Sequence, residues 1–147
     1  EEIKTELHIL GGYEEDYKAI LEEYEKEGWL FYHGYQEDVR PFIKEAHCFV
    51  LPSWHEGMAN TNLECAASGS PVITSNIPGC KEAVVDGVSG YLAKSKDVND
   101  LYKVMKMFTK LTYEEHKQMG ICGREHMEVK FDKKIIVVQT VKNLYSN

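Results

Sequence analysis

Residues 48–75 read CFVLPSWHEGMANTNLECAASGSPVITS, and this stretch decides the fold. It contains two apolar runs, CFVLP and PVITS, separated by a polar loop and a helical pattern, NTNLECAASG. Neither run alternates polar with apolar residues, which is typical of parallel strands covered by helices on both faces. A strand, a helix and a second strand in this order indicate a βα unit of a parallel sheet. The stretch therefore predicts an α/β fold.

The same alternation continues on both sides of this stretch. The strand-like runs ELHIL, WLFYHG and GYLA are interleaved with helical patterns over residues 13–28, 38–46 and 79–86. Beyond them the pattern is wholly helical, and residues 132–147 predict a closing helix. We expect one domain, 1–147, with a doubly wound, mostly parallel, Rossmann-like sheet, helices on both faces and a helical C-terminal tail.

Two capping signals predict where the C-terminal helices begin. Asp97 or Asn99 can cap a helix that runs to about Lys110. Thr112 and Glu115 have the spacing of a capping box, in which each side chain bonds the backbone N–H of the other residue. The chain after the last strand is therefore expected to form three helices.

Composition argues against several classes of function. The formal net charge is −7, and Lys and Arg are scattered, which argues against a nucleic-acid partner. The four cysteines lack CxxC spacing, which favours buried reduced thiols and a cytoplasmic compartment over disulfides or a zinc site. No apolar run approaches the roughly 20 residues of a spanning helix. The chain begins without Met and soon enters a strand, so we expect an excised part of a longer polypeptide.

The loop and helix start after CFVLPS form the candidate ligand site, because doubly wound sheets bind ligands outside the carboxyl ends of their strands. Gly57, Ala59, Asn60 and Thr61 are small or polar, so a ligand can approach the main-chain N–H groups. Such groups at a helix N-terminus favour an anion, and a diphosphate would fit. The segment therefore predicts a phosphate-binding turn.

Two carboxylates flank this turn. Glu64 can accept the paired hydrogens of a ribose diol, and Glu56 can bind a sugar hydroxyl. Taken alone, Glu56 is equally consistent with an exposed loop residue worth a few tenths of a kcal/mol to the helix dipole. Glu64 lies among small residues that indicate close packing, where a buried carboxylate would need a partner. A zinc-protease motif, HExxH, is excluded because Ala59 stands where its second His would be.

Residues 48–93 resemble the C-terminal, nucleotide-sugar-binding domain of retaining glycosyltransferases of family 4, which have the two-domain GT-B architecture. The resemblance rests on Glu56 and Glu64 as a Glu-x7-Glu motif, framed by LPS, SGSPVITS and PGCKEAVVDGVSGYL. Flanking features extend it from LHILGG to KFDKK, which is nearly the whole chain. The framed set is far more specific than two glutamates eight positions apart.

The resemblance implies a role for each site residue. Glu64 would hold the ribose hydroxyls of a nucleotide-diphosphate sugar, and Glu56 would contact the transferred sugar as the catalytic residue. The nucleotide base would lie against the main chain at Gly34, Tyr35 and Gln36. The sugar and diphosphate would meet the backbone of the turn, formed by Gly57, Met58, Ala59, Asn60 and Thr61. Transfer would retain anomeric configuration through front-face attack, with no metal and no cofactor besides the donor.

The resemblance also implies parts that this chain lacks. The family's domain opens with a strand and helix whose loop supplies an Arg and a Lys to the diphosphate, and the acceptor binds a separate N-terminal domain. In the family the closing helix packs on that domain, so Ile135, Ile136, Val138 and Val141 would lose part of that partner in this chain. We therefore expect the activity in the full-length protein, with this fragment inactive and binding its donor weakly.

The implied reaction is transfer of a hexosyl or N-acetylhexosaminyl group to a glycan, lipid-linked or small acceptor, in polysaccharide or cell-surface glycan synthesis. The full-length protein is expected in the cytoplasm, with peripheral association at the inner face of the membrane left open. The sequence leaves two alternatives open: a noncatalytic nucleotide-sugar-binding module, and a nucleotide-sugar epimerase of the related GT-B fold.

Overall fold

The computed structural model describes residues 4–13 and 16–145. The chain divides into two compact units, Glu1–Phe42 and Ile43–Asn147. Each unit is built on its own parallel sheet. The expected parallel pairing is therefore confirmed, but the strands form two sheets instead of the single sheet that the sequence predicted. The first residues of the chain and Ser146–Asn147 lie outside the described residues, as do the positions 14 and 15 within the first predicted helix.

The first unit is a βαβ arrangement. Its elements are β1 (Leu7–Ile9), α1 (Lys18–Lys26) and β2 (Leu30–Tyr32). β1 and β2 are parallel, with Leu7 opposite Leu30. α1 ends at Lys26, and the chain turns back toward β2 at Gly28, whose φ of +78° is readily adopted only by glycine. The next helix, α2 (Arg40–Glu45), crosses the boundary between the units.

The second unit contains the remaining elements. They are β3 (Phe49–Leu51), α3 (Asn60–Ala67), β4 (Val72–Ser75), β5 (Gly90–Ala93), α4 (Val98–Phe108), α5 (Tyr113–Lys130) and α6 (Lys133–Tyr145). The strand order is β3-β4-β5, and both pairs are parallel. β4 is the central strand and is wholly buried, whereas β3 lies at the edge and is half-buried. The carboxyl ends of all three strands therefore lie along one edge of this sheet.

Helices cover both faces of this sheet, as predicted. Successive residues of a strand point to opposite faces, and adjacent residues of β4 join different clusters. Val72 packs with Cys65 of α3 and Met127 of α5. Ile73 packs with Val104 of α4 and with further side chains of α4 and α5. The apolar sequence of β4 is thus explained by burial on both sides.

Capping occurs as the sequence indicates. Asp97, rather than Asn99, is the N-cap of α4 and accepts a hydrogen bond from the Asp100 N–H. Thr112 and Glu115 form the complete capping box at the start of α5. α4 ends at Phe108, slightly before the predicted position.

The prediction of a helix over residues 79–86 is wrong. The segment forms only a short 3-10 turn, Lys81–Ala83. Gly79 has φ +86°, and Val84 is extended with φ −128° and ψ 132°, so neither can continue a helix. β-Branched residues such as Val84 and its neighbour also favour extended backbone over helix.

Candidate functional site

The predicted phosphate-binding turn lies between β3 and α3, at the carboxyl edge of the sheet. α3 begins at Asn60 with Ala59 as its N-cap, and no side chain caps the helix. Within residues 4–13 and 16–145, the main-chain N–H groups of Gly57, Met58 and Thr61 have no hydrogen-bond acceptor. An uncapped helix start with free N–H groups favours an anion.

The loop after β4 holds this turn in place. The Ala59 N–H donates to the Gly79 carbonyl at 2.7 Å. A Cβ on Gly79 would lie 2.7 Å from the carbonyl oxygens of both Glu56 and Gly57. The Gly79 N–H in turn donates to the Glu82 carboxylate at 2.9 Å. Sequence reasoning did not identify Gly79, although a Pro-Gly pair after a strand is a recognised turn signal.

Glu56 lies in the turn and is half-buried. Its Oε1 accepts a hydrogen bond from Ser53 Oγ at 2.8 Å, which restrains the carboxylate. Its charge acts on the buried Cys80. Burial raises the pKa of the Cys80 thiol, and a hydrogen bond with Thr74 partly offsets this increase. The charges of Glu56 and Glu82 raise the pKa further. The carboxylate is therefore positioned by the protein rather than free in solvent.

The expectation that Glu64 is buried is wrong, because its side chain is exposed on α3. α3 turns Asn62, Cys65 and Ala66 toward the sheet, and Glu64 falls on the opposite side of the helix. The small residues around it do pack closely, but they do not enclose it. Its carboxylate needs no internal partner and is accessible to a ligand.

The buried polar residue of α3 is Asn62, which sequence reasoning missed. Its Nδ2 donates to Thr74 Oγ1 at 3.0 Å, and the Thr74 hydroxyl donates to the Leu51 carbonyl at 2.9 Å. Asn62 is fully buried, and its Oδ1 has no partner among the described residues. This chain ties the start of α3 to the carboxyl ends of β3 and β4. The sequence contains a signal for the burial of Asn62, because it precedes Cys65 and Ala66 by three and four residues, which is the spacing of one helix face.

The residues expected to meet the base lie in the first unit, immediately after β2. Gly34 has φ +63°, and its carbonyl accepts a hydrogen bond from the Gly11 N–H at 2.8 Å. Gln36 Nε2 donates to the His33 carbonyl at 2.7 Å, so the turn is ordered from within. Tyr35 is 80% exposed. The structure thus forms a fixed turn with one accessible ring, while the other candidate residues all belong to the second unit.

The described residues form neither a metal-binding cluster nor a membrane-spanning helix. In the described part of the chain, no group of three or more His, Cys, Asp or Glu side chains could hold a metal ion. None of the helices formed by those residues has the length and hydrophobicity needed to cross a membrane.

Comparison with known proteins gives a consistent family match. The family model of glycosyl transferases group 1 matches residues 1–110. An N,N'-diacetylbacillosaminyl-diphospho-undecaprenol α-1,3-N-acetylgalactosaminyltransferase of Campylobacter jejuni is 26% identical over 140 residues, which are 95% of this chain and 36% of that protein. The capsular polysaccharide biosynthesis glycosyltransferase CapM of Staphylococcus aureus is 32% identical over 96 residues, which are 65% of this chain and 25% of that protein.

The fold is also found among solved structures. HepE of Anabaena, solved in complex with UDP, matches 97% of this chain and 41% of its own chain, with a TM-score of 0.81 and 17% identity. At that identity the match concerns the fold. The chain spans 36% and 25% of the length of the two curated relatives.

Proposed function

Because the chain belongs to the group 1 glycosyl transferases and has the fold of GT-B enzymes, we propose that it carries the donor site of a retaining family-4 glycosyltransferase. The donor is a nucleotide-diphosphate sugar. The acceptor is a glycan, lipid-linked or small molecule, bound in part by a further domain of the full-length protein. The product belongs to a polysaccharide or cell-surface glycan.

One observation carries this proposal: the unpartnered N–H groups of Gly57, Met58 and Thr61 lie between two differently placed carboxylates. The N–H groups suit the diphosphate, whose charge grows as the sugar leaves. Glu64 is exposed on α3, so its carboxylate can accept hydrogen bonds from the ribose hydroxyls. Glu56, held by Ser53, is placed to contact the transferred sugar. In this arrangement the amides and the helix dipole stabilise the phosphates, and no metal is required.

The relatives support a sugar class without fixing the sugar. The Campylobacter jejuni enzyme is named for transfer of N-acetylgalactosamine to a lipid diphosphate sugar, and an O-antigen chain mannosyltransferase of Escherichia coli is 37% identical over 97 residues. We therefore propose a hexosyl or N-acetylhexosaminyl group as the unit transferred. Tyr35, with Gly34 and Gln36, would lie against the base.

Substitution of Glu64 in the full-length protein tests the donor site. Glu64→Gln keeps the shape of the side chain but removes a charged acceptor, so we expect donor binding to weaken by about 1.5–3 kcal/mol. Folding stability should hardly change, because Glu64 is exposed. Glu125→Gln, on an exposed position of α5, is the matched control. Titration calorimetry with UDP sugars measures both variants, and equal affinity in both would remove Glu64 from the site.

Substitution of Glu56 tests the catalytic role separately. Glu56→Ala should lower kcat more than it raises KM, because a group that contacts the transferred sugar positions the reacting centre. The 147-residue chain alone should bind its donor weakly and show no transfer. Rapid transfer by the isolated chain, or a full-length Glu56→Ala enzyme with unchanged kcat, would contradict these assignments.

A further inference from the structure

A small cavity of about 190 Å³ lies at the carboxyl edge of the second sheet, and its lining includes Trp54, two residues before Glu56. Residues that follow or end β3, β4 and β5 line it, including Trp54, Ser75 and Lys94, together with Lys96 and the start of α4. It is smaller than the roughly 300–1,000 Å³ of clefts that enclose a whole ligand. The cavity can therefore hold one unit of a larger molecule.

Lys96 holds an uncompensated positive charge at this cavity. Its Nζ lies 5.2 Å from the centroid of the Trp54 ring, which is cation–π distance. The Asp97 carboxylate also lines the cavity but is paired with Lys94 at 3.6 Å, whereas Lys96 has no carboxylate partner among residues 4–13 and 16–145. An anion that enters the cavity would meet Lys96 without displacing an ion pair.

The backbone at Lys96 is strained. Among the described residues it is the one non-glycine position with a positive φ, 62°. A left-handed conformation of this kind is unfavourable for a lysine, and such strain concentrates at functional positions. A glycine or asparagine would fit this turn more easily. The turn thus keeps a charged side chain beside Trp54 at a conformational cost.

The other two groups provide an apolar surface and a polar contact. Trp54 is 69% exposed, so most of its ring is accessible even with Lys96 nearby. Ser75 is only 2% exposed and lines the cavity, and within the described part of the chain its hydroxyl has no hydrogen-bond partner. A flat aromatic ring, a hydroxyl and a cation together match a sugar ring that bears a negative charge.

We propose that this cavity binds a sugar unit carrying a phosphate or a carboxylate. The C–H face of the sugar packs on Trp54, and its anionic group pairs with Lys96 and accepts a hydrogen bond from Ser75. Trp54 precedes Glu56 by two residues, so the bound unit lies next to the donor turn and belongs to the acceptor. That last assignment rests on the proposed function, whereas the binding itself does not.

Nuclear magnetic resonance on the isotopically labelled 147-residue chain tests the binding. Four probes are titrated: glucose 1-phosphate, glucuronate, methyl glucoside and inorganic phosphate. We expect the two charged sugars to shift the Trp54 indole N–H and the Lys96 amide, and to bind more tightly than methyl glucoside or phosphate. Signals of residues 57–61 should move less. Shifts confined to residues 57–61, or no preference for the charged sugars, would overturn the proposal.

Two variants and a control assign the contacts. Lys96→Asn tolerates the left-handed backbone and should weaken binding of the charged sugars about ten-fold, since a charge-assisted hydrogen bond is lost. Trp54→Leu should weaken charged sugars and methyl glucoside alike. Lys103→Gln removes an exposed lysine elsewhere on α4 and should change nothing. Melting curves verify folding, and unchanged affinity in a folded Lys96→Asn variant would refute the assignment.

A second titration separates this proposal from the donor site. UDP-glucose should bind without displacing glucose 1-phosphate. Glu64→Gln should weaken the binding of UDP-glucose and leave the binding of glucose 1-phosphate unchanged. Displacement by UDP would place the sugar phosphate in the donor site and end the proposal of a separate cavity. Absence of any UDP-glucose binding in the full-length protein would count against the donor site alone.

Discussion

Gly79 shows how one residue fixes the shape of the turn between β3 and α3. Its φ of +86° favours glycine, and its Cα faces two carbonyl oxygens of the turn so closely that a Cβ would lie 2.7 Å from each. Backbone atoms cannot rotate away as a side chain can. A substitution there must therefore move the turn, and with it the main-chain N–H groups that we assign to the diphosphate.

Gly79→Ala should destabilise the chain and weaken donor binding. Gly87→Ala is the matched control, because Gly87 also has a positive φ, +73°, but its Cβ would meet nothing within 4 Å. We expect Gly87→Ala to cost about 1–2 kcal/mol through the backbone alone. Gly79→Ala should cost clearly more, and only this variant should reduce donor affinity. Chemical denaturation and calorimetry measure the two effects, and equal unfolding free energies would show that the turn yields without strain.

Cys65 should make stability fall at alkaline pH. Burial, with a smaller contribution from Glu64, raises its pKa from 9.0 to about 12. The unfolded chain therefore releases this proton at lower pH than the folded chain. The contribution is present below pH 9.0 and is lost as the pH rises toward 12, at no more than about 1.4 kcal/mol per pH unit.

The comparison of two cysteine variants tests this. Cys65→Ala should flatten the decline of the unfolding free energy above pH 9.0 relative to the unmodified chain. Cys122→Ala, which removes a half-buried cysteine from α5, is the matched control. Urea denaturation at a series of alkaline pH values gives the slopes. Parallel slopes in both variants would mean that Cys65 ionises equally easily in the folded and unfolded chain.

At the scale of elements, the sequence predicted helices and strands correctly where the signal depends only on residues close in sequence. The capping box of α5 and the alternation of strands and helices depend on residues close in sequence, and both are found. The segment 79–86 carries helix-forming residues, yet its backbone is decided by contact with the turn after β3. The exposure of Glu64 and the burial of Asn62 likewise depend on which face of α3 meets the sheet. Such contacts join distant residues, so local composition could not settle them, although the spacing of Asn62, Cys65 and Ala66 did indicate that these three residues share one face of α3.

Asn62 and Asn60 give a test of this packing within one helix. Asn62→Asp would place a charge in a fully buried position and remove the donor to Thr74, so we expect a loss of about 3–5 kcal/mol at pH 7. The loss should shrink as the pH falls to about 3, below the usual Asp pKa of about 3.9, because the carboxyl then becomes protonated in both states. Asn60→Asp is exposed in the first turn, where a negative charge gains about 0.3–1 kcal/mol. Similar stabilities of the two variants would contradict the assigned orientation of α3.

At the scale of the whole molecule, the least enclosed element is α6. None of its described side chains is buried, although it is rich in β-branched apolar residues. Exposed apolar surface of this kind marks an interaction site. The family resemblance would place this helix against a second domain.

The 147-residue chain should therefore self-associate through α6. Its apparent mass should exceed 16.9 kDa and rise with concentration, because association removes apolar surface from water. Val141→Glu, at a position 45% exposed on α6, should shift the equilibrium toward the monomer. Val129→Glu adds the same charge at a position 69% exposed on α5 and should have little effect, so net charge alone cannot explain a difference. Sedimentation equilibrium measures all three chains, and a monomeric unmodified chain, or equal shifts in both variants, would show that α6 is not the associating surface.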